Sequence, residues 1–191
     1  MTDKILISPN AAVKYVGLGY NKLQIEEIQI CINRNIDIEK YITPDFNHIQ
    51  IRNIRWGLEK HIDVSLYANP KYSHLKMEQI RECIELGSKY IDPIRSNIKR
   101  YNWHQIVEIR RGVEEGVDPL LYNSPIFKWE QMEQIRKGLM SKVDVSLYAH
   151  RRFNADQMKE IRYGLEEHFD VSKYLDPDFT PERMRSIRLY G

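Results

Sequence analysis

The sequence predicts an all-α solenoid of seven repeats of about 26 residues, each a long helix, a one-turn helix and a turn. Three observations predict it. An aromatic anchor recurs at Tyr20, Phe46, Tyr72, Tyr101, Phe127, Phe153 and Phe179. Helix-start chemistry follows each anchor. A single apolar stripe at helical spacing follows each start.

The step between anchors is 26 residues everywhere except from Tyr72 to Tyr101, where it is 29. The three extra residues lie within Gly87–Arg100, "GSKYIDPIRSNIKR", where the pattern is locally lost. Self-similarity at a fixed period of this size marks a stacked array, because one such repeat cannot bury enough apolar surface by itself. The expected organisation is one domain over 1–191. Residues 1–19 form an N-terminal cap, and repeats begin near 20, 46, 72, 101, 127, 153 and 179.

Each repeat reads the same way. After the anchor stands Asn21, Asn47, Ser73, Asn102, Lys128, Asn154 or Thr180, and all but the lysine are good N-caps. Three residues on, Gln24, Gln50, Gln105, Gln131 and Gln157 complete a capping box, from which Lys76 and Arg183 depart. The next residue (Ile25, Ile51, Met77, Ile106, Met132, Met158 or Met184) is placed to staple against the anchor. Pro181 falls at a first helical position, where its missing N–H is harmless. The long helix is expected over about Ala155 to His168 in the sixth repeat. Its stripe is Met158, Ile161, Leu165 and Phe169, with Ile106, Ile109, Val113 and Val117 in the same columns of the fourth. Asp37, Asp63, Asp118, Asp144 or Asp170 then caps the short helix, and Pro119 sits at its first position. Turns at Asn69-Pro70 and Asp176-Pro177 lead to the next anchor. No segment alternates convincingly as a strand.

Composition narrows the function classes. Hydrophobic content of 42% and charged content of 29% fit a folded, soluble chain rather than a disordered one. A formal net charge of +2 gives no global field toward nucleic acid or membrane. No run reaches a membrane span, and "KILIS" is too short for a secretory apolar core. Two cysteines make no disulfide framework, so a reducing cytoplasm is expected.

Three columns could carry chemistry. The first is Arg55, Arg81, Arg110, Arg136, Arg162 and Arg188, with Gln29 in the first repeat. These arginines either line a groove for an anionic ligand or form a structural ladder on the Asp of each repeat and the last helix carbonyls. The second is Cys31, Gly57, Cys83, Gly112, Gly138 and Gly164, where a neighbouring helix is expected to approach closely, with arginine stems filling the gap. The cysteines there read as small buried residues rather than thiolates or ligands. The third is Tyr15, Tyr41, Tyr67, Tyr122, Tyr148 and Tyr174, read as core with a hydroxyl that reaches a partner. The six histidines lack the spacing of a metal site. No nucleophile motif, phosphate loop or cofactor signature appears, so a non-enzymatic module is expected.

Constant columns hold a repeat fold; differences between repeats point to function. On the wheel face opposite the stripe the first three repeats carry Leu23, Ile30, Ile49, Trp56, Leu75 and Leu86. Later repeats carry His104, Arg111, Glu130, Lys137, Asp156 and Glu167 there. The apolar set is the candidate surface for a protein partner or self-association, unless Met1–Lys14 folds back over it. The second reading is a nucleic-acid or nucleotide binder that uses the arginine column and Trp103 or Trp129.

The pattern QMxxIRxGLxxxxDVSxY, seen from Gln131 to Tyr148 and from Gln157 to Tyr174, resembles short α-helical tandem repeats of phage and conjugative-element proteins in low-GC Gram-positive bacteria. The likeness covers nearly the whole chain and transfers no active site. The first repeat, with Gln29 and Cys31, and the interrupted one depart from it. The resemblance implies a cytoplasmic accessory or interaction role, with a host defence system among the targets.

Overall fold

A computed structural model describes residues 9–191, with side chains from residue 13 onward. Among these residues every regular element is helical. The long elements are α1 (Pro9–Gly17), α2 (Lys22–Asn33), α3 (His48–Glu59), α4 (His74–Leu86), α5 (Ser88–Arg95), α6 (Trp103–Glu114), α7 (Trp129–Met140), α8 (Ala155–Glu166) and α9 (Pro181–Tyr190). Single 3-10 turns occupy Glu39–Tyr41, Val64–Leu66, Pro119–Leu121, Val145–Leu147 and Val171–Lys173. The chain divides into two compact units, one up to Ser88 and one from Lys89. In the first, α1 packs on α2, α2 on α3 and α3 on α4; in the second, α6 packs on α7, α7 on α8 and α8 on α9.

The helix starts follow from local chemistry. Side chains of Asn21, Asn47, Ser73, Asn102, Asn154 and Thr180 each accept from the backbone N–H three residues on, at 2.9–3.2 Å. Lys128 offers no acceptor, and there only the reciprocal half of the box forms, Lys128 N–H donating to Gln131 Oε1 at 2.8 Å. The capping glutamines do a second job that local reading does not reveal. Gln50, Gln105, Gln131 and Gln157 turn their Nε2 to the carbonyls of Tyr72, Phe127, Phe153 and Phe179 at 2.6–2.7 Å, and Gln24 donates likewise to Phe46. One side chain thus caps its own helix and holds the entry to the next. The anchors from Tyr20 to Phe153 are buried, which seals each start.

Helices α2, α3, α6, α7 and α8 end where a residue takes positive φ: Asn35, His61, Gly116, Lys142 and His168. The N–H that follows each of them bonds back to the carbonyl of Cys31, Gly57, Gly112, Gly138 or Gly164 at 2.8–3.0 Å, the six-to-one closure of a Schellman end. This shortens the expected stripe. Ile106, Ile109, Val113, Met158 and Ile161 are buried, but Phe169 is 49% exposed, because α8 has ended at Glu166 and the chain has turned away.

The glycine column has a different cause from the one expected. A Cβ on Gly57, Gly112, Gly138 or Gly164 would overlap the hydroxyl of Tyr67, Tyr122, Tyr148 or Tyr174, each from the 3-10 turn that follows the same helix. The gap is therefore filled from within the period, not by a neighbour's arginine stem. Tyr67, Tyr122 and Tyr148 are fully buried and donate to the carbonyls of Asn53, Glu108 and Gln134 at 2.9–3.2 Å. Where Cys31 replaces glycine, Tyr41 is only half-buried. After Cys83 no such turn follows, and α5 with its internal Pro93 takes its place within the tract where the pattern was lost. Burial pushes the Cys31 thiol up to about 12, so it is no thiolate at neutral pH.

Lys76, which stands in the glutamine column, is 7% exposed, with Nζ 4.0 Å from the Tyr72 ring centroid. Burial pushes its ammonium down to about 8. Above that pH the folded lysine has lost its proton while an unfolded one, near 10.4, still holds it, so stability rises with pH across the window. Burial raises the phenols of Tyr67, Tyr122 and Tyr148, with the opposite consequence: above pH about 10 the unfolded phenols ionise first and stability falls. The denaturation midpoint is expected to climb from pH 8 to about 10 and then drop. Lys76→Gln should remove the climb and add about 2 kcal/mol at pH 7. A parent profile flat between pH 8 and 10 would show that folded Lys76 keeps its proton.

Candidate functional site

The apolar candidates all lie in the first unit, on α2, α3 and α4. Leu23, Ile49 and Leu75 are the second residues of three helices that pack side by side, so the period brings them to one register. Ile30 and Trp56 share a second register two turns further along, and Leu86 ends α4. Leu23 is 50% exposed, Leu86 49% and Trp56 37%; Ile30, Ile49 and Leu75 are half-buried. The Arg55 and Arg81 guanidinium carbons lie 5.9 and 5.5 Å from the Trp56 ring centroid. The indole is thus presented between two cations, which limits the rotamer freedom a partner would have to freeze. The expectation that Met1–Lys14 covers this face lies outside the described residues for positions 1–8. Described contacts of α1 go to α2 and to Glu39, which receives both Lys14 Nζ at 2.7 Å and the Tyr15 hydroxyl.

The arginine column lies against neighbouring helices. Arg55 Nε donates to Glu27 at 3.2 Å and Nη1 to Glu59 at 2.7 Å. Arg81 reaches Asn53 at 3.4 Å and pairs with Glu85. Arg110 pairs with Glu114 at 3.3 Å. Arg136 Nε donates to Glu108 at 3.0 Å, and its Nη1 pairs with Glu115. Arg162 reaches Gln134 at 3.3 Å and Glu166 at 2.7 Å, and Arg188 pairs with Glu160 and Glu167 at 2.9 and 2.7 Å. The acceptors are not the expected aspartates. Asp63, Asp118, Asp144 and Asp170 cap the 3-10 turns, accepting from Ser65, Leu120, Ser146 and Ser172 at 2.9–3.0 Å. Glu, Asn or Gln 28 residues earlier takes the Nε instead, because that offset crosses from one helix to the facing residue of the preceding one.

One surface feature was not expected from the sequence, and a second joins the two tryptophans of the second reading through a histidine. Leu120, Leu121 and Ile126 are exposed around one 3-10 turn of the second unit, where the other turns carry Ser or Lys at one or both of the Leu120 and Leu121 positions. Trp103, His104 and Trp129 form a stack at the starts of α6 and α7. The 26-residue spacing of the two tryptophans was the available signal for the stack. Among the described residues no group of three or more His, Cys, Asp or Glu is placed to hold a metal ion, and no helix is long and apolar enough to cross a membrane.

No protein-family model matches the chain, and neither a curated protein nor a solved structure is significantly similar to it.

Proposed function

We propose that the protein is a non-enzymatic binding module that engages a protein partner, another copy of itself included, through the α2–α4 face. In this reading the 26-residue period makes the chain an array of seven repeats, whose constant residues hold the helices and whose variable face recognises. The observation that carries it is the concentration of Leu23, Trp56 and Leu86, exposed, with half-buried Ile30, Ile49 and Leu75, on one face of three adjacent helices. The matching positions of the second unit include His104, Arg111, Glu130, Lys137, Asp156 and Glu167, and keep one aromatic, Tyr163, in the Trp56 register. An apolar cluster of this kind loses water on docking, and a central tryptophan is the residue type most often dominant in such contacts. The resemblance of the repeat to those of phage and mobile-element proteins suggests the setting: an accessory protein whose partner belongs to a host defence system.

The test is the double variant Ile49→Ser/Trp56→Ser, compared with the parent by sedimentation for self-association and by capture of a partner from host cells. Loss of the self-associated species or of the captured partner, with far-ultraviolet dichroism unchanged, is expected. Retention of both would end the proposal. The arginine column is the basis of the second reading, nucleic-acid or nucleotide binding. Its guanidinium groups point at carboxylates and amides of adjacent helices, which leaves that reading to be tested elsewhere on the surface.

A further inference from the structure

We infer that the edge of the second unit built by the starts of α6, α7 and α8 binds single-stranded nucleic acid. The first observation is the ring stack. Trp103 and His104 lie with centroids 3.4 Å apart and planes at 26°; His104 and Trp129 lie 5.1 Å apart at 15°. All three are half-buried, while the residues that seat these helix starts, Gln105, Ile106, Gln131 and Met132, are buried. The stack therefore stands at the solvent boundary, and with His104 between the two indoles the outer faces of Trp103 and Trp129 are the ones left for a base. Base stacking on such surface is tolerant of sequence, because every base has a π face.

The second observation is adjacent. One period beyond Trp103 and Trp129 the same position is Ala155, and there a cavity of about 580 Å³ opens between the starts of α7 and α8. Lys128, Arg151, Arg152 and Asn154 line it, with Glu130 and Asp156. Among the described residues Lys128, Arg151, Arg152 and the register-mate of the last, Arg100, have no carboxylate partner. The column arginines on the same helices are all engaged. Cations without a carboxylate partner beside stacked rings match the two halves of a nucleotide, phosphate and base. Glu130 and Asp156 are acceptors for exocyclic amino or sugar hydroxyl groups and keep phosphates to the Arg151–Arg152 side. A duplex keeps its base faces stacked internally, so it could use the cations but not the rings. An acidic peptide would likewise leave the rings without a role.

Fluorescence anisotropy of a labelled oligothymidylate and a labelled oligouridylate, each about 20 nucleotides long, reads this directly. The parent is expected to bind both at about 50 mM salt and far more weakly at about 200 mM. Arg151→Ala/Arg152→Ala, at exposed positions, should weaken binding about tenfold and reduce the salt slope by about 1.4. Trp129→Ala should weaken it at least about fivefold. Lys142→Ala, an exposed lysine beyond the other end of α7, should change it less than about twofold. No binding by the parent, an undiminished double variant, or equal affinity for a duplex of the same length would overturn the inference. Displacement of the strand by poly-glutamate at equal charge would also overturn it, and would assign the edge to an acidic protein.

Discussion

Gly138→Ala is expected to destabilise the protein by about 2–3 kcal/mol, although alanine is the better helix former by about 1 kcal/mol. The new methyl would overlap the Tyr148 hydroxyl and come within 2.9 Å of Val145 Cγ1 and 3.2 Å of Tyr148 Cζ. Tyr148 cannot swing away. Its ring is fully buried, and its hydroxyl donates to the Gln134 carbonyl at 3.2 Å on the same helix. A second variant separates this lock from a general core effect. Tyr148→Phe alone removes the hydrogen bond and should cost about 1 kcal/mol. In the Gly138→Ala background it also removes the overlapping atom, and should then be neutral or stabilising by about 1 kcal/mol. Denaturation of the four proteins of this cycle gives the coupling; strict additivity would refute the lock. Where Cys31 stands in the glycine column the hydroxyl is kept and Tyr41 is instead only half-buried.

The other large effect concerns the arginine ladder. Glu108 is 1% exposed and accepts from Arg136 Nε at 3.0 Å and Arg111 Nη1 at 2.7 Å. Glu108→Ala leaves the buried Arg136 with Glu115 as its one carboxylate and should cost about 3 kcal/mol, since removing one partner of a buried ion pair strands the other. Glu108→Gln should cost less than about 1.5 kcal/mol. The chain itself supplies the reason: Gln134 accepts from Arg162, and Asn53 from Arg81, at the same offset. Equal losses for the two variants would mean that the ladder needs charge rather than an acceptor, and that the amide positions are exceptions.

Much of this architecture is legible in the sequence. Asn47 with Gln50, or Thr180 with Pro181, announces a helix start because the atoms involved are three residues apart or fewer, so spacing alone brings them together. Positions of the apolar contact candidates were equally readable, since a period of 26 residues keeps Leu23, Ile49 and Leu75 in register. Partners were not readable. Gly138 and Tyr148 are ten residues apart across a turn, and nothing in either residue names the other. Aspartate is a natural acceptor for a guanidinium, yet the aspartates lie nearer to their own 3-10 turns.

The sequence by itself determined where α2, α3, α4, α6, α7, α8 and α9 begin, that every regular element described is helical, and which residues recur. Those properties depend on contacts within one turn of backbone. Only the tertiary structure decided that the glycines exist for tyrosines, that the capping glutamines also hold the next anchor, and that His104 lies between two tryptophans. Such pairings depend on the angle and separation of packed helices, and many periods with the same caps could be stacked with different ones.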